Sequence, residues 1–208
     1  MMIPGTLALL CMASLAVLIR TGWFYGLEEE LGMGRRVLFL WLLVQIALSE
    51  SVLPLTPFLQ VQPGMFLLFP FLIRVVMKTE ETDLFAVSST LFFAGSLFFL
   101  GKEWFWMEPP GWLPWPFLTG IVLVGVTVLG TRRLHDRTAV WIGGVLLGEG
   151  LSLILHRREM SPLLLGDSIM RDFLWSGLSG LVFFHCARNW AADFLRRFQL
   201  FGANKGKE

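Results

Sequence analysis

The chain has 208 residues, of which 55% are hydrophobic and 16% charged, and a formal net charge of +1. A soluble domain carries about a quarter charged residues, so an ordinary soluble domain is excluded, and the net charge itself says nothing about partners. No phosphate loop, His-rich metal motif or nucleic-acid signature is present, and neither a metal nor a cofactor is expected.

The apolar residues fall in long runs separated by short links, which is the pattern of membrane-spanning helices. Residues 4–19 form the first run, ended by Arg20. No basic residue precedes it, as one would in a signal peptide. Cys11 follows Leu10 rather than the small residue of a lipoprotein cleavage site. An uncleaved helix is expected. Cys11 and Cys186 lie in apolar runs near opposite ends of the chain and read as small hydrophobes.

The link from Arg20 to Arg36 contains Glu28, Glu29 and Glu30. The second run, 37–55, carries Gln45, Ser49 and Glu50, and Pro54 and Pro57 close it. The third run, 61–77, contains Pro70 and Arg74; it reads as a kinked full span, with a re-entrant segment as the alternative. The fourth run is 84–101. Between Lys102 and Pro116 stand four prolines and four tryptophans. Tryptophan gathers at the headgroup level because its ring is apolar and its N–H polar, so this stretch reads as an interfacial loop rather than a regular helix. An aromatic ligand platform is the sharper reading.

The fifth run, 117–131, has Gly120, Gly125 and Gly130 on different faces. The sixth, 139–155, reads AVWIGGVLLGEGLSLIL and has Glu149 as its one charge. The seventh, 169–187, carries Asp172 and His185. Trp190, Phe194, Phe198 and Phe201 then recur at helical spacing, which predicts a surface helix over 189–201, with 202–208 a flexible tail. The expected fold class is an all-α bundle of about seven transmembrane helices forming one domain over 1–201.

Seven runs place the links alternately on two sides. Thirteen of the 17 basic residues fall on one side and four (Lys102, Arg157, Arg158 and Arg171) on the other. Cytoplasmic loops carry the excess of Lys and Arg, which predicts the N-terminus outside and the C-terminus inside a bacterial plasma membrane.

A carboxylate inside a bilayer is expensive and must face protein or water. Glu50 and Glu149, with Arg74, Asp172 and His185, therefore read either as an ion path or as a buried polar cluster. Arg171 and Arg74 are the candidate partners of Glu149. Gly144 and Gly148 form a small-xxx-small pair that admits a neighbouring backbone, and Ser176 and Gly180 predict a second close helix contact.

GLSG, from Gly177 to Gly180, resembles the GxSG nucleophile motif of rhomboid intramembrane proteases. That family supplies its histidine from a later helix. Here the one later histidine, His185, lies on the same run as Ser179 and about 120° around it, so small-residue packing is the expected role. As a whole the chain resembles the small uncharacterised multi-pass membrane proteins of Gram-positive, spore-forming bacteria. The resemblance implies no functional residue. The expected function is a non-enzymatic interaction partner or subunit of a membrane assembly. A small transporter using Glu50 and Glu149 is the alternative and an intramembrane enzyme the third reading. The lipid bilayer, other membrane proteins or a second copy are the expected partners, and nucleic acid is not.

Overall fold

The computed structural model describes residues 4–24, 26–79, 81–107, 115–157 and 162–205. Among the described residues there are eight helices and three short strands: α1 (Thr6–Thr21), α2 (Leu27–Leu31), α3 (Arg35–Leu48), β1 (Leu53–Thr56), β2 (Leu59–Val61), α4 (Pro63–Val76), α5 (Glu81–Met107), α6 (Trp115–Gly130), α7 (Leu134–Leu155), β3 (Leu163–Leu165) and α8 (Ser168–Lys205). Left-handed glycines frame the first of these: Gly5 at φ 93° and Gly22 at φ 82°. Only glycine takes that conformation without a steric cost, so it starts and stops the helix cleanly. Pro63 occupies the first turn of α4, where its missing N–H costs nothing.

The bundle is mostly helical, and three short strands add a small sheet that the all-α expectation did not include. The second apolar run splits into α3 and β1. Pro54 and Pro57 forbid a continued helix, and an edge strand tolerates Pro54. β1 pairs antiparallel with β2, with Leu53 opposite Val61. β2 then pairs parallel with β3, with Leu59 opposite Leu163. β3 comes from the link after α7, where a three-residue apolar stretch is too short to show a period.

Other boundaries also move. α5 runs on through Lys102 to Met107, because the first proline of the tryptophan-rich stretch is Pro109. The heart of the expected interfacial loop, residues 108–114, lies outside the described residues. α7 begins at Leu134, five residues before the expected start, since no breaker stands in RRLHDRT. α8 continues without interruption to Lys205, because neither glycine nor proline occurs between Leu181 and Phe201. The expected seventh span, the surface helix and part of the tail are therefore one helix.

Contacts sort the helix ends into two groups. Asp172 bonds the start of α1, and Arg171 and Gln62 both donate to the Ser49 carbonyl after α3. Lys102 and Glu149 meet near the ends of α5 and α7, and Gly101 lies against Thr119 of α6. These define the first end, together with the small sheet. At the second end Arg35 pairs with Glu28, Lys78 donates to the Glu29 carbonyl, and Thr79 bonds Asp136. α1, α3, α4, α5, α6, α7 and α8 thus run alternately from one end to the other.

α7 lies at the centre, packed against α4, α5, α6 and α8. Every residue from Leu134 to Val145 is buried. Among the described residues two helical stretches are long and apolar enough to cross a membrane, Asp83–Trp104 and Leu134–Leu155. Of these the second is 61% buried inside the protein and the first 22%, so α7 is the core and α5 faces outward. Thr6–Thr21, Pro63–Val76 and Leu118–Gly130 are shorter apolar helices.

Candidate functional site: polar clusters between packed helices

α5 and α7 approach closely because glycine lines the contact. A Cβ at Gly148 would stand 2.6 Å from the Gly95 carbonyl oxygen and 2.7 Å from Cδ1 of Phe98. One at Gly144 would stand 3.1 Å from Cβ of Ala94. At Gly144 and Gly148 the α5 backbone around Gly95 and Phe99 thus lies where a side chain would stand.

At the first end of this contact Glu149 Oε2 lies 2.7 Å from Lys102 Nζ, with the carboxylate side chain 1% exposed. Such a pair is favourable only when both members stay matched, because an unpaired buried charge has lost its water. One turn on, Ser152 Oγ donates to Glu103 Oε1 at 3.2 Å, and His156 Nε2 lies 3.5 Å from Glu103 Oε2. Two consecutive residues of α5, Lys102 and Glu103, are thus laced to three residues spaced along α7 and its C-cap, Glu149, Ser152 and His156.

Lys102 takes the place expected for Arg171 or Arg74. Arg171 is engaged with the Ser49 carbonyl, and Arg74 is at the second end, donating to the Gly32 carbonyl at 3.2 Å. Asp172 acts as a cap. Its carboxylate accepts from Gly5 N at 2.8 Å and Ala8 N at 2.7 Å. Gly5 has no side chain to cap α1 itself, and the exposed N–H groups of a helix start need an acceptor. Glu50 is exposed in the turn after α3. His185 is buried at the second end, where its Nε2 accepts from Asn189 Nδ2 at 2.9 Å and lies 3.9 Å from Glu30 Oε1.

The five ionisable residues singled out from the sequence thus fall in separate places. Glu149 is between α5 and α7, Asp172 between α8 and α1, His185 and Arg74 at the second end, and Glu50 on the surface. The expected Ser176 and Gly180 contact also moves. Ser176 Oγ donates to the Phe173 carbonyl of its own helix at 3.1 Å, and among the described residues nothing stands within 4 Å of a Cβ at Gly180. The close approach on α8 is at Gly177, against the Trp141 ring. Trp141 in turn donates to the Leu174 carbonyl at 3.0 Å and stacks on Phe173. Ser179 is buried beside the Cys11 thiol.

Spacing alone did not single out a polar knot at the first end. Gln45 donates to the Gly64 carbonyl at 3.0 Å, while Gln62 and Arg171 converge on Ser49. The available signal was an amide inside an apolar run, which must find a partner when it is buried. Two clefts open at the second end. One of about 830 Å³ is lined by Arg20, Glu28, Arg35, Arg36, Phe39 and Leu40. The other, about 440 Å³, is lined by residues that include Glu30, Lys78, Arg133, His135 and His185. Among the described residues no group of three or more His, Cys, Asp or Glu is placed to hold a metal.

The outward faces are apolar. Phe85 is 83% exposed and Leu129 89%, and Leu10, Val17, Leu40 and Phe92 are also exposed, whereas Glu149, His135 and Arg137 are inside. A soluble monomer does not present so much continuous apolar surface, and a helical bundle with buried ion pairs and apolar flanks is an integral membrane protein. The model of the YphA-like integral membrane proteins matches residues 27–207, and the chain belongs to that family. No curated protein and no solved structure matches it.

Proposed function

We propose that this protein is a seven-span bundle, N-terminus outside and C-terminus inside a bacterial plasma membrane, and that it works without catalysis as an interaction partner or subunit of a membrane assembly. The observation that carries the non-transport reading is the Lys102–Glu149 pair. Glu149, the most deeply buried carboxylate among the described residues, is matched by an ammonium 2.7 Å away and walled in by glycine contacts. Glu50, its expected companion on an ion path, is exposed in a turn on another element. Neither cleft reaches Glu149.

The alternation of helix ends supports seven crossings, and the gathering of Arg20, Arg35, Arg36, Arg74, Lys78, Arg132 and Arg133 towards the second end supports placing that end inside. The 14-residue α3 and α4 each rise only about 21 Å, less than the roughly 30 Å hydrocarbon thickness. The exposed β1 edge cannot lie in hydrocarbon, so the bilayer thins beside this pair and the hairpin rests at the outer headgroups.

One preparation tests both parts. Phe58→Cys, in a chain with Cys11 and Cys186 replaced by alanine, should react with a membrane-impermeant maleimide in intact cells, and Arg132→Cys should not. The wild-type protein reconstituted in proteoliposomes should pass neither protons nor cations above the protein-free level. Labelling of Arg132→Cys from outside would overturn the topology. Flux that disappears in a stable Glu149→Gln protein would overturn the non-transport reading.

A further inference from the structure

The larger cleft at the second end combines two chemistries that one ligand class carries together. Three arginines, Arg20, Arg35 and Arg36, stand around it, with Glu28 as the one acidic wall residue among the described residues. Glu28 is held by Arg35 at 2.7 Å, which leaves Arg20 and Arg36, both exposed, without an acidic partner among the described residues. The cleft floor is Phe39 and Leu40. Below it, an exposed apolar stripe continues along the outside of the bundle. On α3, Arg36, Leu40, Leu43 and Val44 share a face, with Leu40 58% and Val44 45% exposed. On α1, Val17 is 59% exposed one turn below Arg20 and extends the stripe.

Guanidinium groups bind phosphate oxygens through paired N–H donors, more specifically than a point charge does. A free anion would leave the apolar floor and stripe without a role, whereas a phosphate joined to an acyl chain uses both. We infer that this cleft binds an anionic glycerophospholipid, its phosphate held by Arg20 and Arg36 and an acyl chain laid along Leu40 and Val44. The inference rests on the membrane-spanning reading above. The inner leaflet, where that reading puts the second end, is the leaflet whose anionic lipids attract such basic clusters.

The test is native mass spectrometry of the full chain in a neutral detergent, with phosphatidylglycerol, phosphatidylcholine or inorganic phosphate added. Wild-type protein should retain phosphatidylglycerol in preference to phosphatidylcholine. Arg20→Ala with Arg36→Ala should weaken phosphatidylglycerol binding at least about tenfold, since each basic residue near an anionic surface is worth roughly fivefold in affinity. Arg74→Ala with Arg132→Ala, which removes two exposed arginines from the same end outside the cleft, should leave binding unchanged. Equal loss in the two double variants, or no lipid preference in the wild type, would overturn the site. Displacement of the lipid by millimolar inorganic phosphate, with the same arginine dependence, would assign the cleft to the free ion and overturn the lipid assignment. Both ends are open in detergent, so an error in orientation would appear in the maleimide labelling and not here.

Discussion

The α5–α7 and α1–α8 contacts each set a carboxylate between two helices and satisfy it by different means. Glu149 on α7 faces the Lys102 ammonium of α5. Asp172 on α8 faces two backbone N–H groups of α1. The first arrangement needs a particular second side chain, whereas any helix start supplies the second. The two also differ in exposure: Glu149 is buried, while Asp172 is half-buried at the helix ends. Losing a partner should therefore be far more costly at α5–α7.

The largest expected effect tests that difference directly. Lys102→Met removes the ammonium and leaves Glu149 buried without a cation, which should cost about 3–5 kcal/mol. Adding Glu149→Gln to Lys102→Met should restore most of the loss, since the amide keeps the shape and no charge remains. Denaturant unfolding of the three variants in one detergent would measure this. A Lys102→Met protein as stable as wild type would mean that water or another group reaches Glu149, and the contrast between the interfaces would disappear.

How much of this could be read in advance follows the same division. The apolar runs, the lone charge of Glu149 within its run and the glycine pair beside it are local signals, because each depends on residues a few positions apart. The integral membrane class follows from them. The Lys102 partner is not local: it is 47 residues away, and Lys102 looked like the first residue of a loop. Ser176 and Gly180 failed for a geometric reason. Small residues at i and i+4 name a helix face, but the rotation of α8 decides which face meets α7, and it turns Gly177 there instead. The small sheet escaped because LPLT, LQV and LLL are too short to show alternation.

A middle-sized effect belongs to the glycines. Gly148→Val places a branched side chain against the Gly95 carbonyl and the Phe99 backbone. Backbone cannot swing aside as a side chain does, so α5 and α7 must separate, at a cost of about 1–3 kcal/mol or somewhat more. Gly180→Leu enters open space on the apolar flank of α8 and should change stability by less than about 0.5 kcal/mol. Equal losses in the two would place a neighbour against Gly180, such as a second copy of the chain.

Among the contacts between helices, the smallest loss is expected at Asp172. Its two acceptor oxygens satisfy the Gly5 and Ala8 N–H groups, two of the four donors that a helix start leaves unpaired. A carboxylate there also meets the positive end of the helix dipole. Asp172→Ala removes both bonds, and losing an N-terminal cap costs about 1 kcal/mol. Asp172→Asn keeps one acceptor oxygen and should cost roughly half as much by the same measure. The neighbouring Arg171 still holds the Ser49 carbonyl, and the Phe24–Phe183 edge contact still ties the middle of α8 to the residues after α1. The interface therefore stays docked and only the first turn of α1 frays. Hydrogen exchange should show faster exchange confined to residues 5–9 in Asp172→Ala, with the amides of α7 unchanged. Faster exchange spreading through α7 would mean that Asp172 supports the whole bundle, and the two carboxylates would then be equivalent after all.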